Sequence, residues 1–179
     1  MLLNAAAHLM ASGTSFTLDL IGEDIYRDGQ LERQINELGL SDRVTFHGFL
    51  PHPLMRPFFE CADLLLVTSR HEAGPLVVLE AAIAGLPAVG TDIGHLSEWS
   101  PDAAAVVPPR DHIAMTHAIR GLLADEPRRL RIAARAQERA VAENADVTAS
   151  QLREAYNQLA NTNSNKRRDN SARRKLQGN

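Results

Sequence analysis

Short apolar runs alternate with helix-patterned segments along most of this chain, and glycine marks many of the junctions between them. Residues 1–12 place Leu2, Leu3, Ala6, Leu9 and Met10 at helical spacing before Gly13. FTLDLI (16–21) is β-rich and ends at Gly22. Residues 30–38 set Leu31, Ile35 and Leu38 on one helical face, closed by Gly39, and VTF (44–46) reads as a strand ended by Gly48. Residues 52–61 read as a helix and LLLVT (64–68) as a strand. Residues 75–84 read as a helix with Pro75 at its first position and Gly85 just past its end. Short strands at 88–90 and 104–107 follow, then helices at 113–123, 127–142 and 150–159.

Strands separated by single helices over short connections need parallel pairing with crossover helices, which makes a doubly wound α/β sheet. The run 64–68 is apolar without alternation, as in a strand covered on both faces. One feature departs from that plan: the chain opens with a helix, with no strand before it.

A length of 179 residues suits one α/β domain, and an aromatic share of 4% makes its core aliphatic. Asn4 and His8 interrupt the N-terminal apolar run and no basic segment precedes it, so no signal peptide is expected and the default location is cytoplasmic. The lone Cys61 is expected to be a small buried hydrophobe. Residues 161–179 hold six basic residues and one acid, a charge of +5, which leaves −8 on residues 1–160 of the total −3. The expected organisation is therefore an acidic folded body over 1–160 and a disordered basic tail over 161–179. Such a tail can touch anionic lipid or nucleic acid, but it lacks interleaved aromatics, and no nucleic-acid partner is expected.

The segment carrying chemistry is SRHEAGPLVVLEAA (69–82). It leaves the carboxyl end of a strand and enters a helix, the place where ligands bind in open α/β sheets. The first N–H groups of such a helix lack intrahelical partners, and its dipole favours an anion, phosphate above all. Glu72 lies in the loop before this anion site. Glu80 lies five residues into the helix, about 7.5 Å further along its axis. Carboxylates on either side of a phosphate can accept hydrogen bonds from the paired hydroxyls of a sugar or ribose. Both glutamates could instead be solvated charges. Glu80, however, is embedded in an apolar segment and there needs a partner.

With these residues in view, ADLLLVTSRHEAGPLVVLEAAIAGLPAVGTDIGHLSEW (62–99) resembles the donor-binding core of the family 4 retaining glycosyltransferases, the glycosyl transferases group 1. The family's two glutamates with seven residues between them match Glu72 and Glu80. FTLDLIGE (16–23), LGLSDRVTFHGFLP (38–51) and VVPPRD (106–111) extend the resemblance in the same order over residues 1–160. The resemblance implies a GT-B glycosyltransferase fold of two facing Rossmann-like domains, of which this chain would be the C-terminal, donor-binding half with its first strand missing. It further implies transfer from a nucleotide-diphosphate sugar with retention, of hexosyltransferase type, usually without an essential metal or other cofactor. Glu72 would take the catalytic position and hold the donor sugar's hydroxyls; Glu80 would hold the ribose. The amides of Leu76 and Val77 beyond Gly74 would face the diphosphate. Gly22 would let the donor approach the backbone, and Gly48 with Phe49 would lie against the base.

Three departures bear on that expectation. The usual Glu-Gly-Phe-Gly is here Glu72-Ala73-Gly74-Pro75, and Pro75 offers no N–H. Where the family carries a second glycine after the next strand, this chain has His95, which could reach the donor sugar but is expected to point to solvent. The family's strand and Arg/Lys loop upstream of the first helix, and its acceptor domain, have no counterpart in these residues. The chain is therefore expected to be a fragment or half of a split enzyme, inactive alone, with the acceptor domain as partner. Membrane contact is expected only through that half or the basic tail. The remaining histidines show no metal-ligand spacing. A non-catalytic nucleotide-binding or protein-interaction module of the same fold stays open as an alternative, whereas the Glu72/Glu80 spacing argues against an epimerase or phosphorylase of this architecture.

Overall fold

The computed structural model describes residues 1–23, 28–72 and 74–159. The chain divides into a compact unit, Met1–Ala140, and a second unit from Val141 onward.

In the first unit, α1 (Leu2–Ala11), β1 (Leu18–Ile21), α2 (Gln30–Glu37) and β2 (Val44–Gly48) come first. A 3-10 turn (His52–Leu54), α3 (Arg56–Cys61), β3 (Leu65–Val67), α4 (Leu76–Ile83) and β4 (Ala88–Thr91) follow. α5 (Gly94–Trp99), β5 (Ala105–Val107), α6 (His112–Ala124) and α7 (Glu126–Ala142) complete the order. All strand pairs are parallel: β1 with β2, β3 with β4, and β4 with β5.

The central strand β4 is buried at every position, and its neighbours alternate between two helical layers. Val67, Ala88 and Leu65 face a cluster built from α4, α5 and α7, with Val78, Leu96, Trp99 and Ala136 at its heart. Val89, Val107, Leu64 and Leu66 face the opposite layer, made by α1 and α6 through Ala5, Leu9, Met115 and Ile119. α6 starts at Asp111, whose Oδ1 accepts the Ala114 N–H at 2.8 Å, a side-chain cap that satisfies one free first-turn donor.

α1 ties the two sheets together. Its Ala5 and Leu9 pack with β4, β5 and α6, while its Leu3 and Ala6 pack with Ile35, Leu40 and Val44 around β1, β2 and α2. Leu3 and Leu9 are 6% and 4% exposed, so each contributes roughly 1.5–3 kcal/mol by burial. Thr116 in α6 donates its hydroxyl to His112 O at 2.8 Å and reaches Ala5 O at 3.3 Å, which docks α1 on α6.

The expected single sheet is in two parts, ordered β1-β2 and β3-β4-β5. Among the described residues β1 and β3 each pair on one side only. Leu65 and Leu66 are half-buried, although their sequence reads as fully covered.

Three local expectations are corrected. Residues 52–61 form a 3-10 turn and a six-residue helix instead of one helix, because Pro53 and Pro57 supply no N–H to a continuous ladder. Cys61 is exposed: α3 buries none of its residues, so nothing covers its last position. α5, which the sequence reading passes over, carries the buried Trp99.

In the second unit, the helix over residues 145–159 begins after Asn144, whose Oδ1 accepts the N–H groups of Asp146 and Val147 at 2.9 and 3.0 Å. The basic tail over 161–179 lies outside the described residues. Among the described residues no helix is long and apolar enough to cross a membrane.

Candidate functional site

The loop from β3 to α4 is held from below by the sheet. Thr91 closes β4, is fully buried, and donates its hydroxyl to Ser69 O at 2.7 Å. The Ser69 hydroxyl in turn donates to Glu72 Oε1 at 2.9 Å. The exposed Glu72 carboxylate is thus tied by two hydrogen bonds to the buried end of β4. Arg70, His71 and Glu72 face Ile93 and Gly94 across an open groove of about 580 Å³. Arg70 is exposed and makes no ion pair among the described residues, so its guanidinium is free to meet an anion there.

Pro75 is the N-cap of α4 and not its first helical residue, as the sequence suggests. Its missing N–H therefore falls outside the helix, and the helix donors begin with Leu76 and Val77. Among the described residues no side chain caps them. The Leu76 side chain beside this end is 70% exposed. Glu80 follows on the same helix, its side chain 31% exposed, with His52 Nε2 2.9 Å from Oε1. The partner that a carboxylate in so apolar a helix needs is therefore His52, brought over by the 3-10 turn.

At the carboxyl ends of β1 and β2, the Gly22 N–H donates to Gly48 O at 2.9 Å. Their φ angles are 141° and 67°, a region that favours glycine, and among the described residues no atom beyond the chain neighbours lies within 4 Å of where either Cβ would sit. Bare backbone with open space beside it is what close approach of a ligand requires. Phe49, the next residue, is 69% exposed. His47 anchors this edge, with Nε2 2.7 Å from Asp19 Oδ1 and its ring edge-on to Phe58.

His95 does not point to solvent. Its ring lies half-buried against Gly74, where a Cβ would come within 2.6 Å of Nε2, and it tilts toward Trp99 at 6.0 Å between ring centres. Gly74 is therefore fixed by the ring packed on it. Among the described residues, the His95 Nδ1 and the Trp99 Nε1 are buried without a partner.

The structure thus joins Glu72 to Ser69 and Glu80 to His52, and it joins Gly22 to Gly48. Among the described residues Glu72 and Glu80 share no partner. Ser69, Thr91 and His52 escape the sequence reading. Thr91 had a signal, as a hydroxyl closing an otherwise apolar strand; His52 had none, being 28 residues from Glu80. Among the described residues no three His, Cys, Asp or Glu side chains converge as a metal site would need.

The profile of the family described as glycosyl transferases group 1 matches residues 1–139. The chain belongs to that family. Among its relatives, the α-D-kanosaminyltransferase of Streptomyces kanamyceticus is 32% identical over 133 residues, 73% of this chain and 34% of that enzyme. The D-inositol 3-phosphate glycosyltransferase of Thermomonospora curvata is 33% identical over 132 residues, 70% of this chain and 30% of that enzyme. This glycosyltransferase chain thus spans about a third of the length of these curated relatives. Sucrose-phosphate synthase from Thermosynechococcus elongatus superposes with a TM-score of 0.76 at 28% identity, over 89% of this chain and 42% of that one. The Anabaena protein Alr3699/HepE, solved in complex with UDP and glucose, superposes with a TM-score of 0.71 at 26% identity over 92% and 44%. The α/β architecture of this group 1 chain is accordingly the Rossmann-like C-terminal domain of a GT-B glycosyltransferase.

Proposed function

We propose that this chain binds a nucleotide-diphosphate sugar as the donor-binding half of a retaining, family 4 glycosyltransferase. The observation that carries the proposal is the arrangement about the start of α4. An uncapped helix end lies between a carboxylate tethered in the loop before it, Glu72, and a second on the helix, Glu80. The helix end and the free Arg70 guanidinium attract the diphosphate. In that pose the amides of Leu76 and Val77 face phosphate oxygens, and Gly74 keeps the approach narrow under His95.

Glu80 accepts from the ribose hydroxyls once His52 yields or shares its oxygen, and Glu72 accepts from the donor sugar. Gly22 and Gly48 let the nucleotide lie on bare backbone, with the exposed Phe49 ring against the base. The diphosphate charge is offset by the helix end and Arg70, so no essential metal enters the proposal. The UDP and glucose bound by the Anabaena protein support this class of ligand.

Transfer itself needs an acceptor held against the donor in a water-excluding cleft. We assign that role to a domain of the kind that fills the remaining two thirds of the relatives' length. On this reading the chain by itself binds donor without sustained transfer. Calorimetry with UDP, GDP and ADP, each against its nucleoside, tests the binding. One diphosphate should bind at least about tenfold more tightly than its nucleoside, a difference of roughly 1.4 kcal/mol. A chain that binds none of the three, or binds nucleoside equally well, refutes the proposal.

A further inference from the structure

α7 carries a row of arginines that the donor site does not use. Arg128, Arg131, Arg135 and Arg139 recur at intervals of three and four, which places them along one stripe of the helix, about 16 Å from first to last. Together with Pro101 and the acids Asp102 and Glu138, they line a groove of about 740 Å³. None of its lining residues belongs to the groove beside Glu72.

A row of charges on a helix is usually a solvated face, and two observations argue against that here. The first is shape: the four arginines line a concavity. The second is pairing. Arg139 is held by the Glu98 carbonyl at 3.0 Å and Arg135 by Glu138 Oε2 at 2.7 Å. Glu138 raises the Arg135 pKa further, chiefly through that hydrogen bond, with a lesser contribution from the charge of Asp102. Arg128 and Arg131 are exposed and have no ion-pair partner among the described residues. Residues 1–160 carry a net −8, yet five of their thirteen arginines lie on α7. Local positive potential set in an acidic body is a directed field.

We propose that this groove is a second anion site, taking a compact multivalent phosphate. A guanidinium fork closes on a phosphate through two parallel hydrogen bonds, and linked phosphates offer neighbouring forks one group each. A flat lipid surface would meet the rim of a concave groove before its lining, so the observations favour a soluble anion over clustered lipid headgroups. This inference stands apart from the donor reading and survives its failure.

The test titrates sodium tripolyphosphate into the full chain by calorimetry at low salt. Saturable binding is expected, weakened by added salt and at least about tenfold weaker in Arg128→Gln/Arg131→Gln, the loss expected when charge-assisted hydrogen bonds are removed. Both positions are exposed, so the variant should melt with the parent; Arg131→Gln alone is a second check with a smaller loss. Any nucleotide binding should be unchanged. Absence of saturable tripolyphosphate binding overturns the proposal, as does binding that the double variant retains. Binding to phosphatidylglycerol vesicles without tripolyphosphate binding also overturns it and points to a membrane surface.

Discussion

Replacing Thr91 by Val isolates the link between the core and the candidate site. Valine keeps the β-branched shape of a side chain that is fully buried, so packing changes little. What disappears is the hydroxyl that donates to Ser69 O at 2.7 Å, and with it the tether of the loop that presents Glu72. A buried acceptor left unpaired costs about 1–3 kcal/mol. Ser69 is only half-buried, which lets water reach its carbonyl and favours the lower end, about 1–2 kcal/mol. For a chain of this size that lowers the melting temperature by about 2–8 °C. Thermal and urea unfolding of Thr91→Val beside Thr91→Ser measure it. The serine variant keeps the hydroxyl and loses one buried methyl group, so both fall in stability, but only the valine variant should also weaken sugar-dependent donor binding through Glu72. A Thr91→Val protein that matches its parent in both stability and donor binding refutes the tether.

Gly90→Ala should destabilise by about 1–3 kcal/mol, because the new Cβ would lie 2.7 Å from the Val67 carbonyl and against Leu96, forcing β3 and β4 apart; a neutral result in urea unfolding contradicts the close strand packing. The chain should associate as its concentration rises, since β1 and β3 each present an unpaired edge among the described residues. Sedimentation showing a monomer across a broad concentration range would contradict that.

Much of this fold was legible because its signals are local. Leu31 and Ile35 mark a helical face, the run 64–68 marks a strand, and Gly85 followed by Pro87 ends a helix whatever surrounds it. The missed elements depend on contacts distant in sequence. GHLSEW has too few residues to show a helical period, and only its packing of Leu96 and Trp99 under β4 makes it α5. Cys61 looked buried by residue type, but α3 is too short and too little covered to bury it. At the site, the loop and helix around Glu72 and Glu80 could be read because a strand end, a turn and a helix start are contiguous. His52 and Thr91 could not, since each reaches its partner across more than twenty residues. His95 was misread for the same reason: only the folded loop brings Gly74 beneath its ring.

The central claim is that two carboxylates divide the donor between them, and calorimetry on Glu80→Gln and Glu72→Gln tests it most directly. Each substitution keeps size and removes charge, and the titrants are the nucleoside diphosphate that binds the parent and its sugar conjugate. Glu80→Gln should weaken both by roughly tenfold to a hundredfold, the loss expected for charge-assisted hydrogen bonds of about 1.5–3 kcal/mol. Glu72→Gln should bind the bare nucleotide like the parent and the sugar conjugate less tightly. If Glu72→Gln loses the bare nucleotide while Glu80→Gln keeps it, the two roles are reversed. If neither variant differs from the parent with either titrant, the donor does not bind at the start of α4.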